Sequence, residues 1–261
     1  MSAHRTDRRP SSSSTRFTIA AALAGLVAGT LAIAAAPALA PAQEGRAAGA
    51  DTLQMPDPEV PQGENLAVPE GWRFRLDSPN EGTDLVAAEE PASGDIRFVN
   101  MTPGWHVTTG PRVILYHPAA RAEGDFRATA TMHLFAPGER NEAYGLFVGG
   151  RQLQGADQRY LYFLIRRSGD YLVKLRDGDS TEEIVGWTSH DAVVPFTDET
   201  EETATNTLSV TARGDSLHFS VNGVEVDAVA REGFPVDGQV GWRVNHALDL
   251  HVSEFSLEGP D

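Results

Sequence analysis

The stretch Tyr160–Arg176 constrains the fold of this chain more than any other part of its sequence. It contains two runs of aromatic and branched residues, separated by Ser168-Gly169. A three-residue hairpin loop favours Gly at its third position, where the backbone is left-handed, so we predict a loop at Arg167–Gly169. In that register one face of the hairpin is wholly apolar, whereas a two-residue loop would scatter its charges over both faces. The stretch therefore predicts an antiparallel hairpin that is buried on one face.

The opposite face of this hairpin contains the residues that we predict to bind a ligand: Tyr160, Tyr162, Lys174 and Arg176. Aromatic rings stack on the C–H faces of sugars, and cationic or hydroxyl donors satisfy sugar oxygens, which is the composition that a glycan groove needs. Arg127 and His133 alternate with apolar residues in an earlier predicted strand, and they join the group if that strand lies nearby. The alternative is a solvated sheet face, where Tyr and Arg are common strand residues.

Short alternating runs bounded by Gly, Pro, Asn and Asp continue through most of the chain, and Asp125–Phe135 has the cleanest alternation. Each run predicts a β-strand. No window longer than about ten residues has helical periodicity beyond residue 42. The predicted fold class is all-β, with two packed antiparallel sheets in a jelly-roll β-sandwich.

Two local signals refine this prediction. Asn222-Gly223 supplies the two positive-φ residues of a type I′ turn, which would pair Phe219 with Val226 and direct both towards the core. Near the C-terminus, apolar residues change parity between Leu248–Val252 and Phe255. A parity change within one strand requires an extra residue, so we predict a β-bulge near Ser253-Glu254.

The first 70 residues differ in composition from the rest. Residues 1–42 have a basic start, an apolar Ala- and Leu-rich stretch and a small-residue end, which is typical of a secretory signal peptide. Residues 43–70 are rich in Pro, Gly and acidic residues without periodicity, which predicts a disordered linker. The predicted sandwich domain spans residues 71–258, and the expected location is secreted or periplasmic.

Charge and cysteine content exclude several functions. The formal net charge is −16, and loss of residues 1–42 removes four arginines and one aspartate, which leaves −19. That charge repels nucleic acid and anionic lipid, so we expect neither as a partner, nor any membrane contact after cleavage of the signal peptide. The absence of cysteine excludes disulfides and thiol chemistry. The oligomeric state is left open.

Four segments resemble the concanavalin A-like lectin/glucanase superfamily: Glu142–Gly150, Tyr160–Arg166, Phe219–Gly223 and Gly238–Val244. Laminin-G-like domains and the bacterial domain called 3-keto-disaccharide hydrolase share this layout, and the resemblance covers about residues 72–257. It implies carbohydrate binding or glycoside cleavage on a concave sheet. A fold does not fix an activity, however.

Motifs for catalysis and metal binding are weak. Family-16 glucanases of this superfamily place acidic residues close together on one strand, and here Val229 and Ala230 stand where the second glutamate would be. The chain has no Gly-x-Ser-x-Gly and no His-Glu-x-x-His. We therefore predict no catalytic residue, no metal site and no cofactor, with calcium at the acidic turn Asp177–Glu183 as the alternative to an ordinary turn.

Three functions remain in consideration. The first is an exported carbohydrate-binding module with a shallow glycan groove on one sheet and no paired acids. The second is a glycoside hydrolase similar to the 3-keto-disaccharide hydrolases, which requires two acidic or histidine groups with shifted pKa values in one cleft. The third is a non-catalytic protein-interaction or structural domain, which predicts an exposed apolar patch.

Overall fold

The computed structural model describes residues 68–78, 94–101, 103–197, 200 and 203–259. The described residues form strands and connecting loops, without a helix. The strands, in chain order, are β1 Arg73–Leu76, β2 Ile96–Asn100, β3 Trp105–Thr109, β4 Val113–Ala122, β5 Phe126–Phe135, β6 Ala143–Arg151, β7 Arg159–Arg166, β8 Asp170–Asp177, β9 Ser180–Ser189, β10 Thr203–Arg213, β11 Ser216–Val221, β12 Val224–Ala230, β13 Gly238–Val244 and β14 Leu248–Glu258.

These strands make two seven-stranded antiparallel sheets. Sheet A has the order β1-β4-β13-β6-β7-β8-β9, and sheet B has the order β12-β11-β10-β5-β14-β3-β2. Consecutive hairpins build one side of each sheet, whereas β13 and β14 return late in the chain to occupy central positions. The predicted all-β, two-sheet jelly-roll sandwich is confirmed.

The hairpin β7–β8 has the predicted register. Arg166 pairs with Asp170, and Tyr162 pairs with Lys174. Gly169 closes the loop with φ of 87°, and its backbone N–H donates to the carbonyl oxygen of Arg166 at 3.0 Å. The left-handed position that the sequence assigns to Gly169 is therefore present.

The β-bulge predicted near Ser253-Glu254 is confirmed, because the pairing of β14 with β5 shifts between Val252 and Glu254. The pairing predicted beyond Asn222-Gly223 is confirmed for Val221 with Val224 and for Ser220 with Glu225, but it is wrong for the next pairs. Phe219 pairs with Asp227 rather than Val226, because a bulge shifts the register between Phe219 and Ser220. Strand β12 lies at the edge of sheet B, where a bulge disturbs few neighbours.

Aromatic packing joins the two sheets across the core. Trp105 of sheet B lies 4.6 Å from Trp242 of sheet A between ring centroids, and Trp72 packs against both at 5.3 and 4.7 Å. Further along the sandwich, Phe163 and Phe219 are 5.2 Å apart. Rings of this size at these spacings contribute both buried area and favourable edge contacts.

Sheet A is also buried on much of its outer face. Strand β6 is buried at every position from 143 to 150. A second apolar cluster forms there, in which Leu153 from the loop after β6 packs with residues of four strands: Ile114, Tyr116, Ala143, Phe147, Tyr160, Tyr162, Leu164 and Leu172. Gly241 permits this packing, because a Cβ at this position would overlap the ring of Phe147.

The predicted signal peptide, residues 1–42, lies outside the described residues, and so do residues 43–67 of the predicted linker. At the linker's end, Val68 packs against the core and the carbonyl oxygen of Pro69 accepts a hydrogen bond from the Trp72 N–H at 3.0 Å. Within the described ranges, no helix is long and apolar enough to cross a membrane.

Candidate functional site

The outer face of sheet A brings together four of the predicted ligand-binding residues. Tyr160 pairs with Arg176, and Tyr162 pairs with Lys174, so their side chains share one face of β7 and β8. Lys174 extends towards β9, where its Nζ lies 3.4 Å from the Glu183 carboxylate. Positions 160, 162, 174 and 176 thus have the common face that the sequence predicts.

An ion pair that the sequence does not predict occupies the centre of this face. Arg243 of β13 donates from Nη1 to Asp77 Oδ1 at 2.8 Å, and its Nη2 donates to Asp77 Oδ2. The same Nη1 is 2.8 Å from the Tyr160 hydroxyl, and the guanidinium lies 5.0 Å from the centre of the Tyr162 ring. This fork-to-fork geometry gives the pair both strength and a fixed orientation.

Burial and charge set the protonation states within this group. Burial opposes ionisation of Asp77, but the hydrogen bonds and positive charge of Arg243 outweigh it and hold the pKa of that carboxyl below its usual value. Burial raises the pKa of Tyr160 and of Tyr162. At neutral pH the group therefore contains an ionised aspartate, a charged arginine and two protonated tyrosines.

The tyrosines are less exposed than a shallow aromatic groove would require. Tyr160 is 0% exposed and Tyr162 is 6% exposed. The ring of Tyr160 therefore does not reach solvent. Its hydroxyl instead accepts a hydrogen bond from Arg243. Whether Tyr162, Lys174 and Arg176 contact a ligand stays a prediction.

Arg127 and His133 do not join this group. Both are on β5, which belongs to sheet B, so they lie on the opposite outer face of the sandwich. There His133 Nδ1 is 2.8 Å from the Thr205 hydroxyl, and its Nε2 is 2.9 Å from the Ser253 hydroxyl. The condition that their strand lies beside the hairpin is not met, because β10 and β14 flank β5 instead.

The edge of sheet A adds an exposed aromatic residue. Trp187 of β9 is 38% exposed, and the Arg166 guanidinium lies 4.0 Å from the centre of its ring. Arg166 Nε in turn donates to Asp170 Oδ2 at 2.8 Å. Hydrogen bonds from Ser168 and Arg166 lower the pKa of Asp170, so its carboxylate stays ionised and orients the arginine.

The ligand-binding residues predicted from the sequence do not include Asp77, Arg243 or Trp187. Asp77 and Arg243 are 166 positions apart, and no local pattern reports such a contact. A weak signal exists for Arg243, because a charged residue inside the buried run Gly241–Val244 must find a partner. Trp187 gives a similar signal, because it is the one aromatic residue of β9, a strand that is acidic and polar at both ends.

Arginine side chains form ion pairs with the acidic turn Asp177–Glu183, the alternative calcium site. Arg159 Nε is 3.4 Å from Asp177 Oδ2, and Arg176 Nη2 is 3.8 Å from Asp179 Oδ1. The residues that the structure describes contain no group of three or more His, Asp or Glu side chains arranged to hold a metal ion. Calcium binding at this turn stays an untested alternative.

A histidine cluster occupies the outer face of sheet B. The ring of His251 lies 5.2 Å from that of His133 and 6.4 Å from that of His106. His106 Nε2 contacts the Asp249 carboxylate, to which Thr108 donates at 2.7 Å. Burial, with the neighbouring histidines, lowers the pKa of His251 to about 4. The lowered pKa of His251 makes the cluster sensitive to acid.

No protein-family model and no curated protein matches this sequence. Solved structures do match. An endo-β-1,3-glucanase from Pyrococcus furiosus has a TM-score of 0.50 at 9% identity, covering 77% of this chain and 93% of its own. A carbohydrate-binding module from Bacillus subtilis has a TM-score of 0.49 at 11% identity, covering 72% of this chain and 96% of its own. The similarity to the glucanase concerns the sandwich fold.

Proposed function

We propose that this chain is an exported glycan-binding module whose site lies on the outer face of sheet A. One observation supports this most directly: the exposed indole of Trp187 contacts Arg166, which the alternation of β7 places on the same face as Tyr162 and Lys174. Export follows from the expected signal peptide at residues 1–42. The sandwich fold, shared with a glucanase, is compatible with this function but does not establish it.

The chemistry of these side chains suits a sugar. An indole face packs against the C–H surface of a pyranose ring, while an ammonium and a carboxylate exchange hydrogen bonds with its hydroxyls. The Arg166 guanidinium covers one face of the Trp187 ring, and the side chain keeps 38% of its surface exposed to a ligand. Asp77 and Arg243 hold the centre of the face rigid, which lowers the entropic cost of binding.

Hydrolysis is less well supported than binding. A glycosidase needs one carboxylic acid with a raised pKa and a second carboxylate that is free to act as nucleophile or base. Asp77 has a lowered pKa, and both of its oxygens accept from Arg243. Asp170 also has a lowered pKa, and its carboxylate accepts hydrogen bonds from Ser168 and Arg166. Neither is suited to act as the general acid.

The proposal is tested with the purified protein on a glycan array, followed by calorimetry on each positive glycan. We expect the Trp187→Ala variant to bind at least about tenfold more weakly, because loss of a central aromatic contact costs about 2 kcal/mol. Lys174→Ala should also weaken binding. Val224→Ala, which shortens another exposed apolar side chain on β12 at the edge of sheet B, is the matched control and should bind normally.

Two results would contradict the proposal. If the unmodified protein binds no glycan on a broad array, the function is wrong. If a glycan binds and both Trp187→Ala and Lys174→Ala retain full affinity, the site lies elsewhere on the molecule.

A further inference from the structure

One row of directly paired residues crosses the outer face of sheet A from β4 to β9. Its members, in order, are Tyr116, Gly241, Phe147, Tyr162, Lys174 and Glu183. The row therefore has an aromatic half on β4 to β7 and a charged half on β8 and β9. Neighbouring strands are about 4.8 Å apart, so the row is about 24 Å long. A row of rings would suit an extended glycan chain, in which successive sugars stack on successive aromatic side chains.

Only the charged half of this row is open to a ligand. The three rings on β4 to β7 are at most 6% exposed. In contrast, the side chains of Lys174 and Glu183 are 28% and 55% exposed. The exposed residue Trp187 also belongs to β9. The accessible part of the row is therefore two strands wide, at the edge of the sheet that β9 forms.

The β6–β7 loop, residues 152–158, covers the far end of the aromatic half, and we call it the strap. It joins two neighbouring strands, yet it reaches β4 and β1, which lie two and three strands beyond β6. Leu153 packs in the apolar cluster that contains Tyr116 and Phe147. Gln154 Nε2 donates to the Tyr116 hydroxyl at 2.9 Å and to the Phe74 carbonyl oxygen at 3.3 Å. The strap thus occupies the surface on which a chain along the row would lie.

Both ends of the strap are held in place. Arg75 of β1 is buried, and its Nη1 donates to the carbonyl oxygen of Leu153 at 2.8 Å and to that of Gly155. Its Nε is buried and has no hydrogen-bond partner in the described part of the chain, so lifting the strap would deprive this cation of two acceptors that it needs. At the other end, the Gly178 N–H donates to the Gln158 carbonyl oxygen at 2.8 Å.

We propose that the strap limits the site to the terminal unit of a glycan, so that this module recognises the ends of chains rather than their interior. This inference rests on the proposed glycan-binding function and specifies the class of ligand. The terminal sugar contacts Trp187, Lys174 and Glu183 at the open end of the row. The strap closes the path across the aromatic half, so the rest of the chain leaves towards solvent beyond β9.

The experiment measures how affinity depends on chain length and on the terminal sugars. Calorimetry on the purified full chain compares oligosaccharides of two and six units in the gluco-, manno-, galacto-, xylo- and fructo- series. We expect the six-unit chain of each series that binds to match its two-unit form within about twofold, because further units make no contact. Methylation of the hydroxyls on both terminal units should weaken binding at least about tenfold, because the terminal sugar loses its hydrogen bonds.

Two substitutions release the strap. Gln154→Ala removes its bonds to Tyr116 and Phe74, and Arg75→Gln removes the guanidinium that holds two of its carbonyls. In each variant the six-unit chain should bind at least about fivefold more tightly than the two-unit form, because further sugars then reach the aromatic half. Gln154 is exposed, so Gln154→Ala decides the test if Arg75→Gln does not fold. Asp157→Asn, at another exposed position of the strap, is the matched control and should keep the two affinities equal.

Failure of this inference is distinguishable from failure of the proposed function. A six-unit chain that binds the unmodified protein about tenfold more tightly than its two-unit form overturns terminal recognition and leaves glycan binding intact. Full affinity for the methylated chain does the same. Equal affinities for the two lengths in the strap variants show that the strap does not set the length, which also overturns the inference. No binding of any oligosaccharide or of any arrayed glycan overturns the proposed function and this inference together.

Discussion

Asp77 and Arg243 form a largely buried ion pair at the centre of the outer face of sheet A. Arg243 is 5% exposed, and its guanidinium depends on one carboxylate and one tyrosine hydroxyl for its hydrogen bonds. Burying a charge without its partner is far costlier than burying the pair. The pair therefore matters for stability as much as for the shape of the proposed site.

At this scale we predict that Asp77→Asn lowers the free energy of unfolding by about 3 kcal/mol, since it leaves a buried arginine without its counter-charge. Urea denaturation followed by circular dichroism measures the change. Asp179→Asn, at a fully exposed side chain, should leave the midpoint unchanged. If Asp77→Asn unfolds at the same urea concentration as the wild type, water must stabilise the charge of Arg243 in place of Asp77.

His251 gives a prediction for acid. Its pKa is about 4 in the folded protein against 6.5 for an unperturbed histidine, because it is buried beside His133 and His106. The unfolded chain therefore binds the proton first as the pH falls. The free energy of unfolding is greatest above about pH 6.5 and should fall by up to about 3 kcal/mol between pH 6.5 and 4.

Denaturation at a series of pH values checks this slope. His133, whose pKa is also lowered, should add to the slope, whereas Asp249 should contribute only below the usual pKa of a carboxyl. His251→Asn should flatten the curve between pH 6.5 and 4. An unchanged slope in His251→Asn would contradict the assignment.

At the scale of strands and turns, local signals predicted the structure well and non-local ones did not. Gly169 fixes the β7–β8 register because a single left-handed position determines every pair beyond it. The bulge in β14 is predictable because a parity change is visible in the sequence itself. Strand β3 was not predicted, although Trp105 and Val107 alternate with His106 and Thr108, because a run of only five residues gives a weak signal. The bulge in β12, where Val226 is the extra residue, has no comparable signal.

Close packing between elements gives the next prediction. Gly149 in β6 has φ of 66°, and a Cβ there would overlap the backbone carbonyl of Pro235. Gly214, in the turn before β11, has φ of 54° but open space around it. Gly149→Ala should therefore cost at least about 3 kcal/mol, through overpacking and backbone strain. Gly214→Ala should cost about 1 kcal/mol, from backbone strain alone.

Thermal unfolding of the two variants tests this difference, and each serves as the control for the other. Equal melting temperatures would show that the loop containing Pro235 moves aside at little cost, and that Gly149 is needed only for its backbone angle.

For the whole molecule, alternation predicted the fold class but not which strands share a sheet. Strands β5 and β6 are consecutive in the chain and belong to different sheets. This crossover separates Arg127 and His133 from the hairpin face. Strand β5 pairs with β10 and β14, and β13 pairs with β6, which are long-range pairings that no local pattern specifies. The four positions on β7 and β8 were predictable together because one hairpin contains them all.

The distribution of tryptophans has an optical consequence. The chain has four, of which Trp72, Trp105 and Trp242 form the cluster between the sheets and are at most 6% exposed. Trp187 is the one tryptophan at the surface. Emission from the three buried indoles should be blue-shifted and shielded from acrylamide, so quenching should report on Trp187 alone. Trp187→Phe should abolish most of the quenching, and a persistent quenchable component would contradict this. The folded protein thus contains a single fluorescent reporter at the edge of its proposed site, whose emission should change when that site is occupied.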